Sequence, residues 1–159
     1  MELREPGQRV SPRARTMWVT SSVVESTVVF AVLVVLAVWI DLFDLPWWVW
    51  VLLVAADVVY TAVVPQWRYL VHRWEVTDTA VYTQTGWWAR ERRIAPMSRI
   101  QTVDLVEGAV ARLFGLATVT VTTASAAGAL EIAGLDRDVA RRLVDDLTVK
   151  ADAVEGDAT

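Results

Sequence analysis

Two long apolar runs dominate the first 64 residues. Trp18–Ile40 contains 23 residues with a single charge, Glu25, and Leu45–Val64 contains 20 residues with a single charge, Asp57. A helix of about 20 residues crosses the roughly 30 Å hydrocarbon core of a bilayer. Because four residues separate the runs, they predict an antiparallel transmembrane hairpin over residues 18–64.

Two other interpretations explain these runs less well. A cleaved signal peptide has a shorter apolar region and small residues at its cleavage site, whereas the first run ends in Trp39-Ile40-Asp41. A buried hairpin of a soluble protein would need a large partner core. It would also leave unexplained the tryptophans near the run ends, where indole rings favour the membrane interface. These are Trp18, Trp39, Trp47, Trp48, Trp50 and Trp67.

Arginines around the hairpin predict its orientation. Six arginines flank the two runs, and the connecting residues 41–44 contain no Lys or Arg. The six are Arg4, Arg9, Arg13, Arg15, Arg68 and Arg73. Since positive residues stay on the cytoplasmic side, both termini are expected in the cytoplasm, with the protein in the cell (inner) membrane.

The segments next to the hairpin and at the C-terminus have no periodic pattern. Residues 1–17 are polar and contain two prolines, which predicts a flexible cytoplasmic tail. Pro65 is expected to stop the second helix or to start its exit, with residues 66–70 leading the chain off the membrane. Residues 151–159 are small and acidic, and they predict a disordered tail.

Short alternating segments separated by turn residues follow the hairpin. Six strands are predicted, at residues 71–76, 80–85, 87–95, 100–106, 117–123 and 130–133. The fifth alternates most regularly, with Val119 and Val121 facing inward. In the fourth, alternation places Ile100 on the face opposite to Val103 and Leu105.

Two helical segments accompany the strands. Ala109–Phe114 predicts a helical turn closed by Gly115, with Leu113 and Phe114 aimed at the interior. Gly134 is expected to end the last strand, and Asp136 suits the N-cap of a final helix. Apolar residues at i, i+3, i+4 and i+7 predict that this helix covers the sheet; they are Ala140, Leu143, Val144 and Leu147.

A strand meander, further strands and one terminal helix resemble a pleckstrin-homology-like (PH-like) domain. The local motifs are similar to those of bacterial PH-like membrane proteins of the YdbS type, which also carry a two-helix hairpin. They are Arg73-Trp74-Glu75-Val76-Thr77, Gly86, Ile94-Ala95-Pro96, Arg99-Ile100-Gln101 and Arg112-Leu113-Phe114-Gly115-Leu116-Ala117-Thr118. The predicted fold class is therefore membrane-anchored α+β: the transmembrane hairpin, then a PH-like β-sandwich or barrel with a C-terminal helix over residues 65–150.

The resemblance implies an interaction or membrane-stress module rather than an enzyme. Eukaryotic PH domains that bind phosphoinositides place Lys and Arg in the first loop between strands. In this chain that loop is Thr77-Asp78-Thr79, so phosphoinositide binding is not expected.

Composition narrows the chemistry further. A net charge of −4 and a pI near 5.0 argue against a nucleic-acid partner. The chain has no Cys and a single His, His72, without a second ligand at metal-binding spacing. Asp145 and Asp146 diverge around a helix, which is typical of a solvated face. No catalytic residue, metal site or cofactor is predicted.

Two groups of residues are candidates for function. Trp88, Arg90, Arg92 and Arg93 combine an aromatic ring with cations, and they are predicted to contact anionic lipid headgroups or an acidic partner. An ordinary solvated strand is the alternative. The intramembrane carboxylates Glu25 and Asp57 each lie seven residues from a cytoplasmic end, at comparable depth. They would share a proton or a partner, or else be protonated and hydrogen-bonded within the helices.

The resulting hypothesis is a membrane-anchored PH-like interaction module. It would contact the bilayer and another membrane protein or a second copy of the chain, in a complex linked to envelope stress or protection. One alternative is a sensor of anionic headgroups that uses the arginine cluster. Another is a small transporter component that uses the intramembrane carboxylates.

Overall fold

The computed structural model describes residues 5–39, 46–86, 88–124 and 128–156. Two long helices precede two antiparallel sheets and a final helix. The elements are β1 (Gln8–Arg9), α1 (Pro12–Trp39), α2 (Trp47–Val71), β2 (Arg73–Val76), β3 (Ala80–Thr85), β4 (Glu91–Pro96), a 3-10 turn (Met97–Arg99), β5 (Ile100–Val106), α3 (Ala109–Leu113), β6 (Leu116–Thr123), β7 (Leu130–Asp136) and α4 (Arg137–Gly156). The predicted membrane-anchored α+β fold class is confirmed.

Helices α1 and α2 are each long and apolar enough to span a membrane, over Pro12–Ala37 and Trp47–Val71. Most of their Val and Leu side chains are exposed, as lipid-facing residues must be. The expectation that Pro65 stops the second helix is wrong, because α2 continues through Pro65 and residues 66–70 to Val71. A proline is tolerated there because neighbouring elements enclose it: Pro65 is fully buried. The connecting residues 41–44 lie outside the described part of the chain.

The N-terminal segment belongs to the folded domain. The prediction of a flexible tail over residues 1–17 is wrong from Gln8 onward, since β1 pairs with β2 and α1 already begins at Pro12. Ser11 precedes that proline, and its Oγ accepts a hydrogen bond from the Arg13 N–H at 3.3 Å. A side-chain cap followed by proline is a favourable helix start.

Three side chains from this N-terminal segment enter the domain core. They are Val10, Ala14 and Trp18, and all are buried among core residues of both sheets. The first two turns of α1 are therefore part of the PH-like domain, and the hairpin continues directly from them.

The sheets have the orders β1-β2-β3-β4 and β5-β6-β7. The predicted bounds of β3 and β5 are confirmed, whereas β2 begins two residues later than expected because α2 includes Val71. β4 begins at Glu91 instead of residue 87, which lies outside the described residues. Val119 and Val121 of β6 are fully buried, as their alternation predicted.

A bulge in β5 overturns the predicted placement of Ile100. Ile100 pairs with Thr123 and Thr102 pairs with Thr122, so Gln101 is an extra residue on β5. An extra residue moves the preceding side chain to the other face of the strand. Ile100 therefore packs on the core together with Val103 and Leu105, not opposite to them.

A second bulge explains why Gly134 does not end β7. Ala117 pairs with Leu135 and Val119 with Ile132, which leaves one more residue on β7 than on β6 between these pairs. Gly134 lies in that bulge with φ of +77°, a conformation that glycine adopts without strain. The strand then continues to Asp136.

Helix α4 covers the second sheet as predicted. Ala140, Leu143 and Leu147 are buried against the core, and Val144 is partly buried. The prediction of a disordered tail is wrong for residues 151–156, which continue α4 to Gly156. Residues 157–159 lie outside the described part of the chain.

Helix α3 is the short helical turn that the sequence predicts, closed by Gly115 with φ of +67°. Phe114 packs against the core, which confirms its predicted direction. The same prediction for Leu113 is wrong, because its side chain is 84% exposed. Of the five residues of α3, Ala111 is the one that packs against the core, where it is partly buried, and Leu113 lies away from that contact.

Candidate functional site at the membrane junction

A cavity of about 680 Å³ lies where the membrane helices meet the domain. Its walls come from α1, α2, the β3–β4 hairpin and β7, and they are mainly polar. The residues are Trp18, Ser21, Ser22, Glu25, Tyr60, Val64, Pro65, Arg68, His72, Thr83, Thr85, Gly86, Glu91, Arg93, Ala129, Glu131 and Ala133. We call this space the junction cavity. Its size falls within the range of small-molecule sites.

Three side chains form one wall of the junction cavity. The Arg68 guanidinium lies over the Trp18 indole, 4.4 Å from the ring centroid, and the His72 ring lies 5.0 Å from Trp18. His72 Nδ1–H donates a hydrogen bond to the Arg68 carbonyl at 2.8 Å. This cation–π stack joins α1 to the end of α2.

His72 is held in its neutral form. Its side chain is buried, and this burial lowers the pKa of His72 to about 4 from its usual 6.5. The value of about 4 also includes two smaller effects: the hydrogen bond to the Arg68 carbonyl raises the pKa, and the Arg68 charge lowers it. At neutral pH the imidazole therefore adds no positive charge to the cavity.

Three carboxylates also line the junction cavity: Glu25, Glu91 and Glu131. Arg93 pairs with Glu91 at 2.6 Å and donates a second hydrogen bond to the Ala129 carbonyl at 3.1 Å. The hydrogen bond to Ala129 fastens β4 to the start of β7, and the ion pair with Glu91 orients Arg93 within β4.

The structure separates the two intramembrane carboxylates. Asp57 accepts a hydrogen bond from Ser26 Oγ at 2.7 Å, across the interface between α1 and α2. Glu25, the residue next to Ser26, instead lines the junction cavity. Glu25 thus has access to a polar space, and Asp57 is joined to the neighbouring helix.

The predicted contact residues are likewise divided. Trp88 and Arg90 lie at the tip of the β3–β4 hairpin, where Trp88 is 88% exposed. Arg92 lies on β4 and pairs with Glu5 at 3.0 Å and with Gln84 at 2.8 Å. Arg92 and Arg93 therefore help to hold the fold. At the tip, Arg90 also pairs with Glu5 at 4.0 Å, and Trp88 extends outward.

The sequence interpretation missed the cluster of Trp18, Arg68 and His72. It treated the tryptophan and the arginine as interface residues and His72 as isolated. A signal was available, because Arg68 and His72 are four residues apart and share a helix face if α2 passes Pro65. In the described parts of the chain, no group of three or more His, Asp or Glu could hold a metal ion.

Comparison with known proteins identifies the family of this chain. A family model described as Bacterial PH domain matches residues 21–150, which include all but the first three residues of the predicted hairpin. The chain is 29% identical over 160 residues to the UPF0699 transmembrane protein YdbS of Bacillus subtilis (strain 168), covering 96% of this chain and 98% of that protein. No solved structure matches the chain. The chain therefore belongs to the bacterial PH domain family, and it is a membrane protein similar to YdbS over nearly its full length.

Proposed function

We propose that this protein is a non-catalytic interaction module of the membrane. Its hairpin holds the PH-like domain at the cytoplasmic surface, where the domain contacts another membrane protein or a second copy of the chain. The observation that carries this proposal is an exposed apolar patch on the domain. A link of the complex to envelope stress or protection is supported by the resemblance to YdbS-type proteins alone.

This patch, which we call the α3 patch, consists of Val106, Val110 and Leu113. Their exposed fractions are 51%, 47% and 84%. Val110 and Leu113 are three residues apart on one face of α3, and no residue of α3 is buried. Apolar groups clustered in this way outside a membrane span are typical of a protein contact surface.

The α3 patch lies near the start of α1, at a height where the cytoplasmic part of a neighbouring membrane protein could contact it. Gly115, which closes α3, faces the Arg13 guanidinium in the first turn of α1. Arg13 precedes Ser21 by eight residues, or about 12 Å of helix. The patch thus lies close to the bilayer but beyond the apolar part of α1.

In-membrane photocrosslinking tests this proposal. A photoreactive amino acid at Leu113 should give a discrete crosslinked product, because this side chain would lie in the interface. Val149 on α4, which is 68% exposed, is the matched control and should give none. Without crosslinking, the Leu113→Asp variant should lose this partner during purification, whereas the Val149→Asp variant should still co-purify with it. Identical results at the two positions would contradict the proposal.

A second candidate function, contact with anionic lipid headgroups, is supported by the β3–β4 hairpin tip. Thr85, Gly86 and Glu91 flank the tip and line the junction cavity together with Glu25 of the first span. The tip with Trp88 and Arg90 therefore lies close to the membrane helices, where indole rings and arginines favour the interface.

An environment-sensitive dye measures this lipid contact directly. The dye on Trp88→Cys in nanodiscs should shift to the blue as the anionic lipid fraction rises. The same dye on Asp145→Cys, on the exposed face of α4, should not respond. Equal responses would exclude a specific contact at the tip.

A further inference from the structure

The charges of the junction cavity do not balance. The charge of Arg93 is balanced by Glu91, with which it pairs, whereas Arg68 stacks on Trp18 and keeps its positive charge. Glu25 and Glu131 bring two more carboxylates. Within the described part of the chain, neither of these side chains has a hydrogen bond or an ion pair. Two carboxylates against the single positive charge of Arg68 leave the cavity with a net formal charge of −1.

The position of Glu25 makes this charge significant. A carboxylate on a membrane-spanning helix is costly unless it meets water, protein or a counter-charge. Ser21, Ser22 and Tyr60 surround the same space with hydroxyl groups, so the cavity provides a polar path from the domain to Glu25. A cation entering along this path would neutralise the glutamate.

We infer that the junction cavity binds an organic cation, an ammonium group on a small carbon framework, beside Glu25 and Glu131. A volume of about 680 Å³ exceeds what a bare ion needs and accommodates a small organic molecule. A divalent ion is usually held by several converging carboxylate or carbonyl oxygens, and the described residues contain no group of three or more His, Asp or Glu side chains that could hold one. Arg68 over Trp18 already shows how an aromatic wall of this cavity holds a cation.

The ammonium group has two possible sources. One is a soluble amine from the cytoplasm, and the other is the headgroup of a neighbouring phospholipid. Both present the same chemistry to the carboxylates. This inference does not depend on the α3 patch, so crosslinking at Leu113 and cation binding can fail separately.

The absence of Cys from the chain permits a clean test on the full-length protein. Ser22→Cys places a thiol in the cavity, and Ser21→Cys provides a second position. The matched control is Val24→Cys, at similar depth on α1 but outside the cavity wall. Each variant is reconstituted in phosphatidylglycerol nanodiscs and treated with thiol reagents that carry either a trimethylammonium or a sulfonate group.

The cationic reagent should label Ser22→Cys about tenfold faster than the anionic one, after correction for their rates on free cysteine. Adding Glu25→Gln should remove most of this preference, and Val24→Cys should react with neither reagent because it faces lipid. An equal rate for the two reagents would overturn the inference. So would a preference that persists with both Glu25→Gln and Glu131→Gln.

Protection of the thiol then distinguishes the two sources. Added ethanolamine should slow labelling in phosphatidylglycerol nanodiscs if the ligand is a soluble amine. Nanodiscs of phosphatidylethanolamine should slow it without any addition if the ligand is a lipid headgroup. If neither condition slows labelling, the cavity does not bind an ammonium group and the inference is wrong.

Discussion

At the scale of single residues, Gly134 shows how one position serves two parts of the fold. It supplies the positive φ of the β7 bulge, and it lets α1 approach the sheet. A Cβ at this position would lie 2.7 Å from the Ala14 Cβ and 3.5 Å from the Trp18 ring. The sequence predicted that this glycine ends the strand, because a bulge can be recognised only from the register with β6.

Gly134→Ala should lower the free energy of unfolding by about 2 kcal/mol, from backbone strain and the contact with Ala14 together. Gly128→Ala is a matched control, since Gly128 has φ of +79° and no atom within 4 Å of an added Cβ. It should show the backbone cost alone. Thermal unfolding in detergent would measure both, and equal losses would show that α1 does not pack closely on Gly134.

His72 gives a second prediction at this scale. The pKa of His72 is about 4 in the folded protein and 6.5 in the unfolded chain. Between these pH values His72 binds more protons in the unfolded state than in the folded state. The contribution of His72 to stability is therefore fully present above about pH 6.5 and is lost as the pH falls toward 4. When the pH falls from about 7.5 to about 5, protonation of His72 in the unfolded chain lowers the free energy of unfolding by about 2 kcal/mol.

Comparison with His72→Gln isolates the contribution of the imidazole. The variant keeps every carboxylate, so it retains the general sensitivity to acid but lacks the His72 term. Thermal unfolding at the two pH values should therefore show a smaller loss for His72→Gln than for the parent. Parallel losses in both proteins would mean that His72 is protonated without cost in the folded state.

At the scale of elements, the N-terminal segment is the main difference between expectation and structure. β1 pairs with the edge of the first sheet, Ser11 Oγ donates a hydrogen bond to Asp136 at 2.9 Å, and Val10 enters the core. Its polar, proline-containing sequence resembles a loop. A strand of two residues has no periodicity to detect, and its hydrogen-bonding partner lies more than sixty residues away.

A domain fragment should therefore depend on this segment. Residues 66–153 alone should be poorly folded, because they lack Val10, Ala14 and Trp18 from the core; loss of one large buried side chain alone costs about 3–5 kcal/mol. Fusing residues 5–18 to this fragment through a flexible linker should restore cooperative unfolding. The same fusion with Trp18→Ala is the control. Equal folding with and without residues 5–18 would contradict this role.

The elements that the sequence predicted well are those with a strong local pattern. β3, β5, β6 and the buried face of α4 follow from alternation or from helical spacing, and the long apolar runs predicted α1 and α2. The bulges at Gln101 and Gly134, and the passage of α2 through Pro65, depend on contacts between distant elements. The junction cavity was missed for the same reason, since five separate elements form its walls.

At the scale of the whole molecule, membrane hairpin and domain are joined through shared helices. α1 starts inside the domain core, and α2 leads directly to β2 through His72. The pairing of β1 with β2 requires both ends of the hairpin to lie on one side of the membrane. We therefore expect the orientation of the molecule to be determined as a single unit.

Reporter fusions test this orientation. With both termini cytoplasmic, a fluorescent reporter at Thr159 should be active inside the cell, and an export-dependent phosphatase inserted at Phe43 should be active outside. Asp41→Lys with Asp44→Lys adds positive charge to the connection and should increase the inverted fraction. An active phosphatase at Thr159 in the parent would contradict the cytoplasmic placement. A further reporter at the N-terminus should lie on the same side of the membrane as the one at Thr159. Opposite locations for these two reporters would contradict the β1–β2 pairing as well.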